Sequence, residues 1–399
     1  MKYDIAIIGA GIVGLATAYQ ISRRRPNLHL CIIDKEDGPA RHQSGHNSGV
    51  IHSGVYYQPG GTKALHCVRG YHDLLEFARQ HHLPHEVCGK VIVATRPEEL
   101  PVLDGILERG RANGLGGLRL IGPEELHERE PHVHGLRALY VPQAGIIDYR
   151  RVAEQYLALL QQGHGEPLFN ARVEDISQTG RGAIVHTNRA EVHCRLVINC
   201  AGLYSDQVAR LTKPELKLKI LPFRGEYYQL KPEYEHLVRH LVYPVPNPNF
   251  PFLGVHFTRM IGGGVDAGPN AVLAFKREGY SRWDVHLSEL TETLAFPGFQ
   301  KIARRYWRDG LQELYRSYWK GAFVKALQKL VPAIEARCLE PGPAGVRAMA
   351  CDEHGNLIDD FLVLEKGRVI NVCNAPSPAA TASLAIGDTV AQRALARLG

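Results

Sequence analysis

The feature that most constrains the fold is a glycine-rich turn between a short apolar strand and a helix at the start of the chain. The apolar run from Lys2 to Ile8 leads into Gly9-Ala-Gly11-Ile-Val-Gly14, and a helical run follows from Leu15 to Ser22. In this spacing the first glycine permits a tight turn, the second lets the backbone approach a pyrophosphate, and the third lets helix and strand pack closely. The segment therefore predicts a βαβ dinucleotide-binding unit.

A carboxylate and then a polar loop follow this unit. The second strand, from His29 to Ile33, ends at Asp34, about twenty residues past the last glycine, where an acid accepts hydrogen bonds from a ribose diol. The next segment, Arg41–Tyr57, is rich in glycine, serine and histidine where a core strand would carry leucine and valine. Such a loop supplies backbone donors and titratable groups, so it predicts a functional site. The glycine motif does not by itself distinguish FAD from NAD.

Length and composition predict a two-domain protein without a metal site. The chain has 399 residues, 45% of them hydrophobic and 22% charged, which is too long for one ordinary domain. Its eight cysteines are scattered and form no Cys-x-x-Cys pair, which argues against zinc, iron–sulfur and disulfide frameworks. We therefore expect these thiols to behave as small buried apolar groups.

The charge and hydropathy of the sequence indicate which partners the protein can bind and where in the cell we expect it. The formal net charge of +6 suits anionic substrates and anionic lipid surfaces, but the lysines and arginines form no dense tract of the kind that binds nucleic acid. No window of eighteen or more residues is uncharged and apolar, and the first strand begins at once, in place of a signal peptide. We expect a cytoplasmic protein, and contact with the inner face of the cell membrane stays an open alternative.

Seven blocks spread over nearly the whole chain have a distinctive sequence. They are Gly45–Gly54, Cys200–Leu203, Pro222–Tyr228, Tyr243–Pro246, Pro251–Thr258, Gly268–Tyr280 and Ala375–Gly387. On these residues the chain resembles the L-2-hydroxyglutarate oxidase/dehydrogenase family, whose members are FAD-dependent enzymes of the D-amino-acid oxidase and glycine oxidase superfamily. Coincidence across seven such blocks is not credible.

The resemblance implies an α/β fold in which a Rossmann-like FAD-binding domain, of the glutathione reductase-2 type, carries an inserted antiparallel-sheet substrate domain. The predicted FAD-binding domain is discontinuous and comprises residues 1–84, 145–215 and 340–399. The predicted substrate domain comprises residues 85–144 and 216–339.

The reaction that the resemblance implies is oxidation of the C2 hydroxyl of L-2-hydroxyglutarate to 2-oxoglutarate. Hydride would pass to flavin N5, and the electrons would then go to a membrane quinone or to oxygen. Another enzyme of the same superfamily, an amine or amino-acid oxidase or a glycerol-3-phosphate dehydrogenase, is the alternative. A catalytically silent FAD-binding assembly or RNA-modification partner is a further alternative, which the lack of a basic stripe disfavours.

Two histidines are candidates for the base that removes the hydroxyl proton. An imidazole with an ordinary pKa near 6.5 suits proton removal at neutral pH. His52 lies at the end of the polar loop, and His256 lies on a predicted strand of the inserted domain that would face the flavin ring. The choice between His52 and His256 stays open at the level of the sequence.

The implied substrate is a dianion, so we expect cations and hydroxyls to bind its carboxylates. Lys276 and Arg277 alternate on a predicted strand, so only one of them points inward, and Arg277 is preferred. Solvated charges at the end of a strand are the alternative. The predicted substrate contacts are Arg224, Tyr228, Tyr243, Arg259 and Arg277.

The predicted cofactor contacts come from the glycine turn, the polar loop, the turn after Cys200 and the loop before the last helix. The N-terminus of that last helix is free to point at an anionic cofactor. The predicted contacts are Gly9, Gly11, Gly14, Asp34, Ser44, Gly45, His46, Asn47, Ser48, Gly49, Ser53, Val173, Ala201, Gly202, Pro378, Ala379, Ala380 and Thr381.

One further segment, Lys301–Lys329, combines arginines and lysines with tryptophans and tyrosines in a predicted pair of helices. Such a basic, aromatic pair could rest on an anionic inner membrane, which would fit quinone reduction. Ordinary packing of the helices onto the substrate domain is the alternative.

Overall fold

The computed structural model describes residues 2–247 and 253–399. Pro251 and Phe252, which begin the block Pro251–Thr258, lie outside the described residues. The α-helices of the described part are Ile12–Arg24 (α1), Thr62–Gln80 (α2), Leu100–Ala112 (α3), Pro123–Arg129 (α4), Tyr149–Gln161 (α5), Ser205–Thr212 (α6), Leu287–Ala295 (α7), Pro297–Arg305 (α8), Trp307–Tyr318 (α9), Lys320–Leu327 (α10) and Ser383–Leu398 (α11).

The strands of the described residues form three sheets. They are Tyr3–Ile8 (β1), Leu30–Ile33 (β2), Val50–Ile51 (β3), His85–Glu86 (β4), Lys90–Ala94 (β5), Arg119–Ile121 (β6), Arg137–Val141 (β7), Gly145–Ile147 (β8), Gly165–Leu168 (β9), Val173–Gln178 (β10), Ala183–Thr187 (β11), Glu191–Asn199 (β12), Leu218–Leu230 (β13), Leu241–Pro244 (β14), His256–Arg259 (β15), Val265–Gly268 (β16), Val272–Leu273 (β17), Leu339–Asp352 (β18), Leu362–Lys366 (β19) and Val369–Asn374 (β20).

The first sheet contains the predicted βαβ unit. Strands β20, β12, β1, β2 and β9 are parallel neighbours, and Ile5 of β1 pairs with Leu196 on one side and Leu30 on the other. Both β1 and β2 are apolar along most of their length because both faces of a parallel sheet are covered. The carboxyl ends of β1, β2, β12 and β20 therefore meet at one edge, which is where α/β sheets bind their ligands.

Three helices from distant parts of the chain pack against this sheet. Helix α1 contacts α5 and α11, and all three contribute to one core with β1 and β2. Leu15, Val152 and Val390, one from each helix, are completely buried in that core. Full burial of such side chains stabilises the fold by about 1.5–3 kcal/mol each. The last helix is thereby held beside the first, and both begin near the same edge of the sheet.

The second sheet is mixed and largely antiparallel. Its strands run in the order β17-β13-β16-β15-β14-β5-β7-β6, and β18 pairs along β13. The β13–β18 pairing runs from Leu218 opposite Asp352 to Leu230 opposite Leu339. Only β14 and β5 run parallel among the described pairs of this sheet. The α/β fold class with a second, antiparallel-type sheet is confirmed.

A small third sheet connects the polar loop to the rest of the molecule. It has the order β3-β8-β4, and Val50 of the loop pairs with Ile146. The division into two domains stays a prediction. The sheets place β18 with the second sheet, although the predicted boundary at 340 assigned that stretch to the FAD-binding domain.

Two local predictions are corrected. Lys276 and Arg277 lie in bends and turns after β17, so they do not alternate on a strand. The segment Lys301–Lys329 contains the end of α8, all of α9 and all of α10, rather than a pair of helices. No helix of the described residues is both long enough and apolar enough to cross a bilayer.

Candidate active site

The glycine turn has the geometry that its sequence predicts. Gly9 has a φ of +106°, and a Cβ atom there would lie 2.4 Å from the Cys200 carbonyl oxygen. At Gly14 a Cβ atom would lie 2.1 Å from the Gly9 carbonyl oxygen, so only glycine lets helix and strand pack this closely. Helix α1 begins after Gly11, which has no side chain of its own to cap the helix. Its positive end is therefore available to an anion.

Two side chains hold this turn in place. Asp34 accepts hydrogen bonds from the backbone amides of Ala10, at 2.7 Å, and Glu36, at 2.9 Å. Ser44 Oγ, from the polar loop, accepts one from the Ile12 amide at 2.9 Å. Each carboxylate oxygen has two lone pairs, so Asp34 keeps acceptor capacity toward a ligand while it fixes the turn.

A cavity of about 970 Å³ lies where this edge of the first sheet meets β13, β14, β15 and β18 of the second sheet. Its size is at the upper end of the roughly 300–1,000 Å³ that is typical of small-molecule sites. Most of the predicted cofactor contacts line it. They are Gly9, Gly11, Asp34, Ser44, His46, Asn47, Ser48, Val173, Ala201, Gly202, Pro378, Ala379 and Ala380.

The other predicted cofactor contacts do not line the cavity. Thr381 is completely buried, and its Oγ1 lies 2.7 Å from the Tyr149 hydroxyl and accepts a hydrogen bond from the His52 amide at 3.1 Å. Thr381 therefore ties the polar loop to the last helix. The predicted cofactor contacts that do not line the cavity are Gly14, Gly45, Gly49, Ser53 and Thr381.

Both candidate bases line the cavity. His256 is 6% exposed on β15, and its Nδ1 lies 2.9 Å from the Gly254 carbonyl oxygen. Because a carbonyl oxygen can only accept, Nδ1 carries the hydrogen, and Nε2 of the neutral ring holds a lone pair. The Tyr243 ring stacks on His256 with 3.9 Å between ring centroids, which fixes the orientation of the imidazole.

Burial keeps both imidazoles neutral. Burial first, and then the charges of Lys90 and Arg347, lower the pKa of His256 to about 3, although the hydrogen bond to Gly254 acts in the opposite direction. Burial also lowers the pKa of His52 to about 3, with smaller contributions from Lys90, His256 and Lys63. At neutral pH both rings are therefore proton acceptors.

The predicted tyrosine Tyr243 lines the cavity, and a buried cation lies over its ring. Lys90, which begins β5, is 1% exposed. Its Nζ lies 4.3 Å from the centroid of the Tyr243 ring and 5.1 Å from that of Tyr56. Burial lowers the pKa of Lys90 to about 8. A single lysine at the start of an apolar strand is an ordinary pattern, so nothing in the sequence marks Lys90 as a site residue.

The predicted substrate-binding arginines lie elsewhere, each paired with a carboxylate. Arg224 binds Glu226, at 3.0 Å, and Arg259 binds Glu86. Arg277 is 2% exposed, and its guanidinium makes two hydrogen bonds with Asp206, at 2.7 and 3.0 Å. Neither these arginines nor Tyr228, which packs against Phe323, line the cavity. Their assignment as substrate contacts stays a prediction that this geometry does not support.

Arg347 is the arginine that lines the cavity beside His256. It lies on β18, and its Nη1 donates to the Asn270 carbonyl oxygen at 3.3 Å. Its charge acts to lower the pKa values of both His256 and Tyr227. Burial outweighs that effect for Tyr227 and raises its pKa to about 12, so the phenol is protonated. Sequence reasoning missed Arg347 because nothing in its strand marks one arginine as different.

One group of side chains among the described residues has donors close enough for a metal ion, namely Glu36, His42 and Glu278. The Lys35 ammonium already lies against both carboxylates, 2.7 Å from Glu278. The group is therefore a salt-bridge cluster that joins the start of the polar loop to the Gly268–Tyr280 block. All eight cysteines are free thiols, and seven of them are buried.

The fold and the site define a dinucleotide-dependent oxidoreductase, and comparisons identify its class. Residues 4–393 match the model of the FAD-dependent oxidoreductase family. The structure also superposes on an L-α-glycerophosphate oxidase from Mycoplasma pneumoniae that has FAD bound, with a TM-score of 0.76 and 24% identity over 99% of this chain and 94% of that one. This likeness shows the shared fold. The protein is an FAD-dependent oxidoreductase.

Sequence relatives identify the family within that class. The chain is 53% identical over 398 residues to an L-2-hydroxyglutarate dehydrogenase from Indibacter alkaliphilus, with 100% of both chains covered. It is 42% identical to the L-2-hydroxyglutarate dehydrogenase of Escherichia coli K12, over 98% of this chain and 93% of that one. The chain belongs to the L-2-hydroxyglutarate dehydrogenase family.

Proposed function

We propose that this protein oxidises the C2 hydroxyl of L-2-hydroxyglutarate to 2-oxoglutarate in the cavity between the two sheets. The names of its relatives support the substrate. The observation in this chain that supports it most is His256, a neutral imidazole with one fixed tautomer on the wall of the cavity.

The residues of the first sheet's edge fit FAD. The N-terminus of α1 and the close backbone at Gly9 and Gly11 would hold the pyrophosphate, and Asp34 would accept from a ribose hydroxyl. FAD, when bound, supplies the acceptor for the hydride that leaves C2. The protein supplies orientation, exclusion of water and proton transfer.

His256 is the proposed base. Its Nε2 would accept the hydroxyl proton as the C–H bond at C2 breaks, and the proton would stay on the ring until product leaves. A dianionic substrate beside the ring favours the protonated imidazole, so substrate binding raises the pKa of His256 from its low resting value. His52 remains the second candidate because it lines the same cavity, although no hydrogen bond to another described residue orients its ring.

Arg347, Tyr227 and Tyr243 are the proposed contacts of the substrate carboxylates. All three line the cavity, and Arg347 brings a permanent positive charge to it. A guanidinium can bind a carboxylate through two parallel hydrogen bonds, which gives direction as well as affinity. The Lys90 ammonium behind Tyr243 adds a second positive charge that a dianion would partly neutralise.

Anaerobic reduction of the flavin tests the proposed substrate. The holoenzyme is mixed without oxygen with L-2-hydroxyglutarate, D-2-hydroxyglutarate, glycine, D-alanine or glycerol 3-phosphate, and loss of flavin absorbance is followed. We expect rapid bleaching with L-2-hydroxyglutarate alone. Bleaching by an amino acid or by glycerol 3-phosphate in its place would assign the protein to another activity of the same fold.

We also propose that the electrons pass to a membrane quinone and that the protein works at the inner face of the cell membrane. The basic and aromatic segment Lys301–Lys329 supports this assignment. The measurement is reoxidation of the reduced enzyme by a water-soluble quinone or by air-saturated buffer. Faster reoxidation by oxygen at equal concentration would make the protein an oxidase.

A further inference from the structure

Helix α9 exposes its apolar face to solvent and buries its polar face, which is the reverse of a normal surface helix. Its exposed large side chains are spaced so that they form one stripe along the helix. Leu311 is 57% exposed and Tyr315 is 59% exposed, although such side chains normally face a core. The stripe consists of Trp307, Leu311, Leu314, Tyr315 and Tyr318.

The opposite face of the same helix is polar and buried. Glu313 is 6% exposed and Ser317 is 4% exposed. Glu313 accepts a hydrogen bond from the Ala271 amide at 3.0 Å and forms an ion pair with Arg316. A buried carboxylate needs such partners, so these bonds hold the helix with its apolar stripe outward.

Neighbouring elements extend the stripe into a larger surface. Helix α7 has the same inversion, since Leu287 and Leu294 are exposed while Thr293 is buried. Trp283, just before α7, is 79% exposed. The Arg282 guanidinium lies 5.5 Å from the Tyr318 ring and so connects this segment to α9.

The apolar exposure of the molecule is concentrated here. Of the thirteen exposed large hydrophobic residues in the described part of the chain, ten lie between Trp283 and Trp319. Single exposed apolar residues are common on any protein, but a contiguous group of this kind marks an interaction surface. We call residues 283–319 the inverted-helix face.

The charged residues of this face indicate what kind of partner it binds. Lys301, Arg304, Arg305 and Arg308 are exposed. Glu292 is the one exposed acid between residues 283 and 319, and it pairs with Lys219 at 3.0 Å. The face is therefore apolar and aromatic in the middle with a basic cluster at one side, which complements anionic lipid headgroups over an apolar bilayer.

A bilayer fits these features better than a second copy of the chain. Two copies related by a two-fold axis through this face would have to pair the basic cluster with residues of the same face, whose one exposed acid, Glu292, is already paired with Lys219. Anionic headgroups would neutralise the cluster instead. Tryptophan and tyrosine also prefer the boundary between headgroups and acyl chains.

We propose that the inverted-helix face docks the protein on an anionic phospholipid surface, with α7 and α9 lying in the plane of the interface. This proposal rests on the proposed transfer of electrons to a membrane quinone, to which it gives a location. The helices bind the surface without crossing it.

Co-sedimentation of the holoenzyme with vesicles tests the docking. Vesicles of phosphatidylglycerol with phosphatidylcholine are compared with vesicles of phosphatidylcholine alone. The charge variant carries Arg304→Glu, Arg305→Glu and Arg308→Glu, and the apolar variant carries Trp307→Ser, Leu311→Ser and Tyr315→Ser. A matched control replaces three exposed apolar residues outside the face, Leu65→Ser, Val87→Ser and Leu136→Ser.

We expect binding to the anionic vesicles to fall at least about tenfold in both face variants and to stay unchanged in the control. Anaerobic bleaching by L-2-hydroxyglutarate should be the same in all four proteins, so a failure of the proposed reaction is seen separately from a failure of docking. Unchanged co-sedimentation of the face variants would overturn the proposal. Loss of a dimer in the apolar variant without lipid would overturn it in favour of a second copy.

Discussion

At the scale of single residues, the surroundings of His256 decide what the ring can do. The Gly254 carbonyl fixes the hydrogen on Nδ1, and the Tyr243 ring holds the imidazole plane. Burial makes the charged ring unfavourable, so the resting ring is neutral far below its ordinary pKa. A base prepared in this way depends on the substrate's own charge to stabilise the proton that it accepts.

The low pKa values of the two histidines predict an unusual pH profile. The imidazoles of His52 and His256, with pKa values of about 3, stay neutral as the pH falls through 6.5, so the free enzyme keeps its base. We expect kcat/KM for L-2-hydroxyglutarate to change less than about twofold between pH 7 and 5.5, whereas a base of pKa 6.5 would cause a loss of about eightfold. Steady-state kinetics with a soluble electron acceptor measures this. An acid limb centred near pH 6.5 would contradict the account.

Two arginines with different surroundings should respond differently to the same substitution. Arg347→Met removes a cation from the cavity wall, so we expect KM for L-2-hydroxyglutarate to rise about 10- to 100-fold. Arg277→Met removes the guanidinium that makes two hydrogen bonds to the buried Asp206 carboxylate and leaves it with Arg210 at 3.3 Å, so the free energy of unfolding should fall by about 3 kcal/mol. Steady-state kinetics gives KM for both variants, and denaturant unfolding gives their free energies of unfolding. A large KM effect at Arg277 would restore the assignment made from the sequence.

The arginines also show where residue-level prediction from sequence stops. The sequence shows that Arg224, Arg259 and Arg277 are charged and lie near aromatic or family-specific residues. It does not show which carboxylate each one meets, because Asp206 and Glu86 are far from their partners along the chain. Glycine and histidine positions were easier to predict, since their roles depend on local backbone geometry or on chemistry that few residue types possess.

At the scale of elements, the turn between β1 and α1 forms part of the edge of the first sheet that we propose holds FAD. Gly14→Ala would place a methyl group within 2.1 Å of the Gly9 carbonyl oxygen and force helix and strand apart. We expect the purified variant to lose most of its flavin and about 1–3 kcal/mol of stability. The ratio of flavin absorbance to protein and the thermal unfolding midpoint measure both effects.

Helix α3 provides the control for that substitution. Gly105 is a helical glycine at which a Cβ atom would meet nothing within 4 Å. Gly105→Ala should therefore retain its flavin and gain up to about 1 kcal/mol from the higher helix propensity of alanine. Equal flavin content in the two alanine variants would show that close packing at Gly14 is not needed for cofactor binding.

Elements with local signals were predicted well, and elements defined by distant pairing were not. The strand, glycine turn and helix at residues 2–24 follow from periodicity and spacing within a few residues. The long pairing of β13 with β18 joins segments more than a hundred residues apart, and no local sequence pattern predicts which strand pairs with β13. The stripe of α9 is visible in the sequence, but whether a stripe faces a core or solvent depends on what packs beside it.

At the scale of the whole molecule, the site exists only because two sheets face each other. The first sheet contributes the ends of β1, β2, β12 and β20, and the second contributes residues of β13, β14, β15 and β18. The predicted site residues of the first sheet come from loops that follow strands, and most line the cavity. Those of the second sheet were harder to predict, because alternate residues of a strand face opposite ways and the register decides which face the cavity.

A cavity between two sheets should make stability depend on its ligand. Removal of FAD empties about 970 Å³ at the junction of the sheets, and a ligand at one hundred times its Kd contributes about 2.7 kcal/mol to the free energy of unfolding. We expect the apoprotein to unfold at a lower temperature and FAD to restore the midpoint in a concentration-dependent manner. Calorimetry of apoprotein titrated with FAD, with the Gly14→Ala variant as an unresponsive control, checks this. A midpoint independent of FAD would contradict the assigned site.

The most direct test of the central claim is the rate of anaerobic flavin reduction by L-2-hydroxyglutarate in the parent enzyme and in His256→Gln. The account predicts rapid bleaching of the parent by the L enantiomer and not by the D enantiomer, with a rate about 10²- to 10⁴-fold lower in His256→Gln. His52→Gln, measured beside it, should have a smaller effect. Equal rates in the parent and in His256→Gln, or no bleaching of the parent by L-2-hydroxyglutarate, would contradict the account.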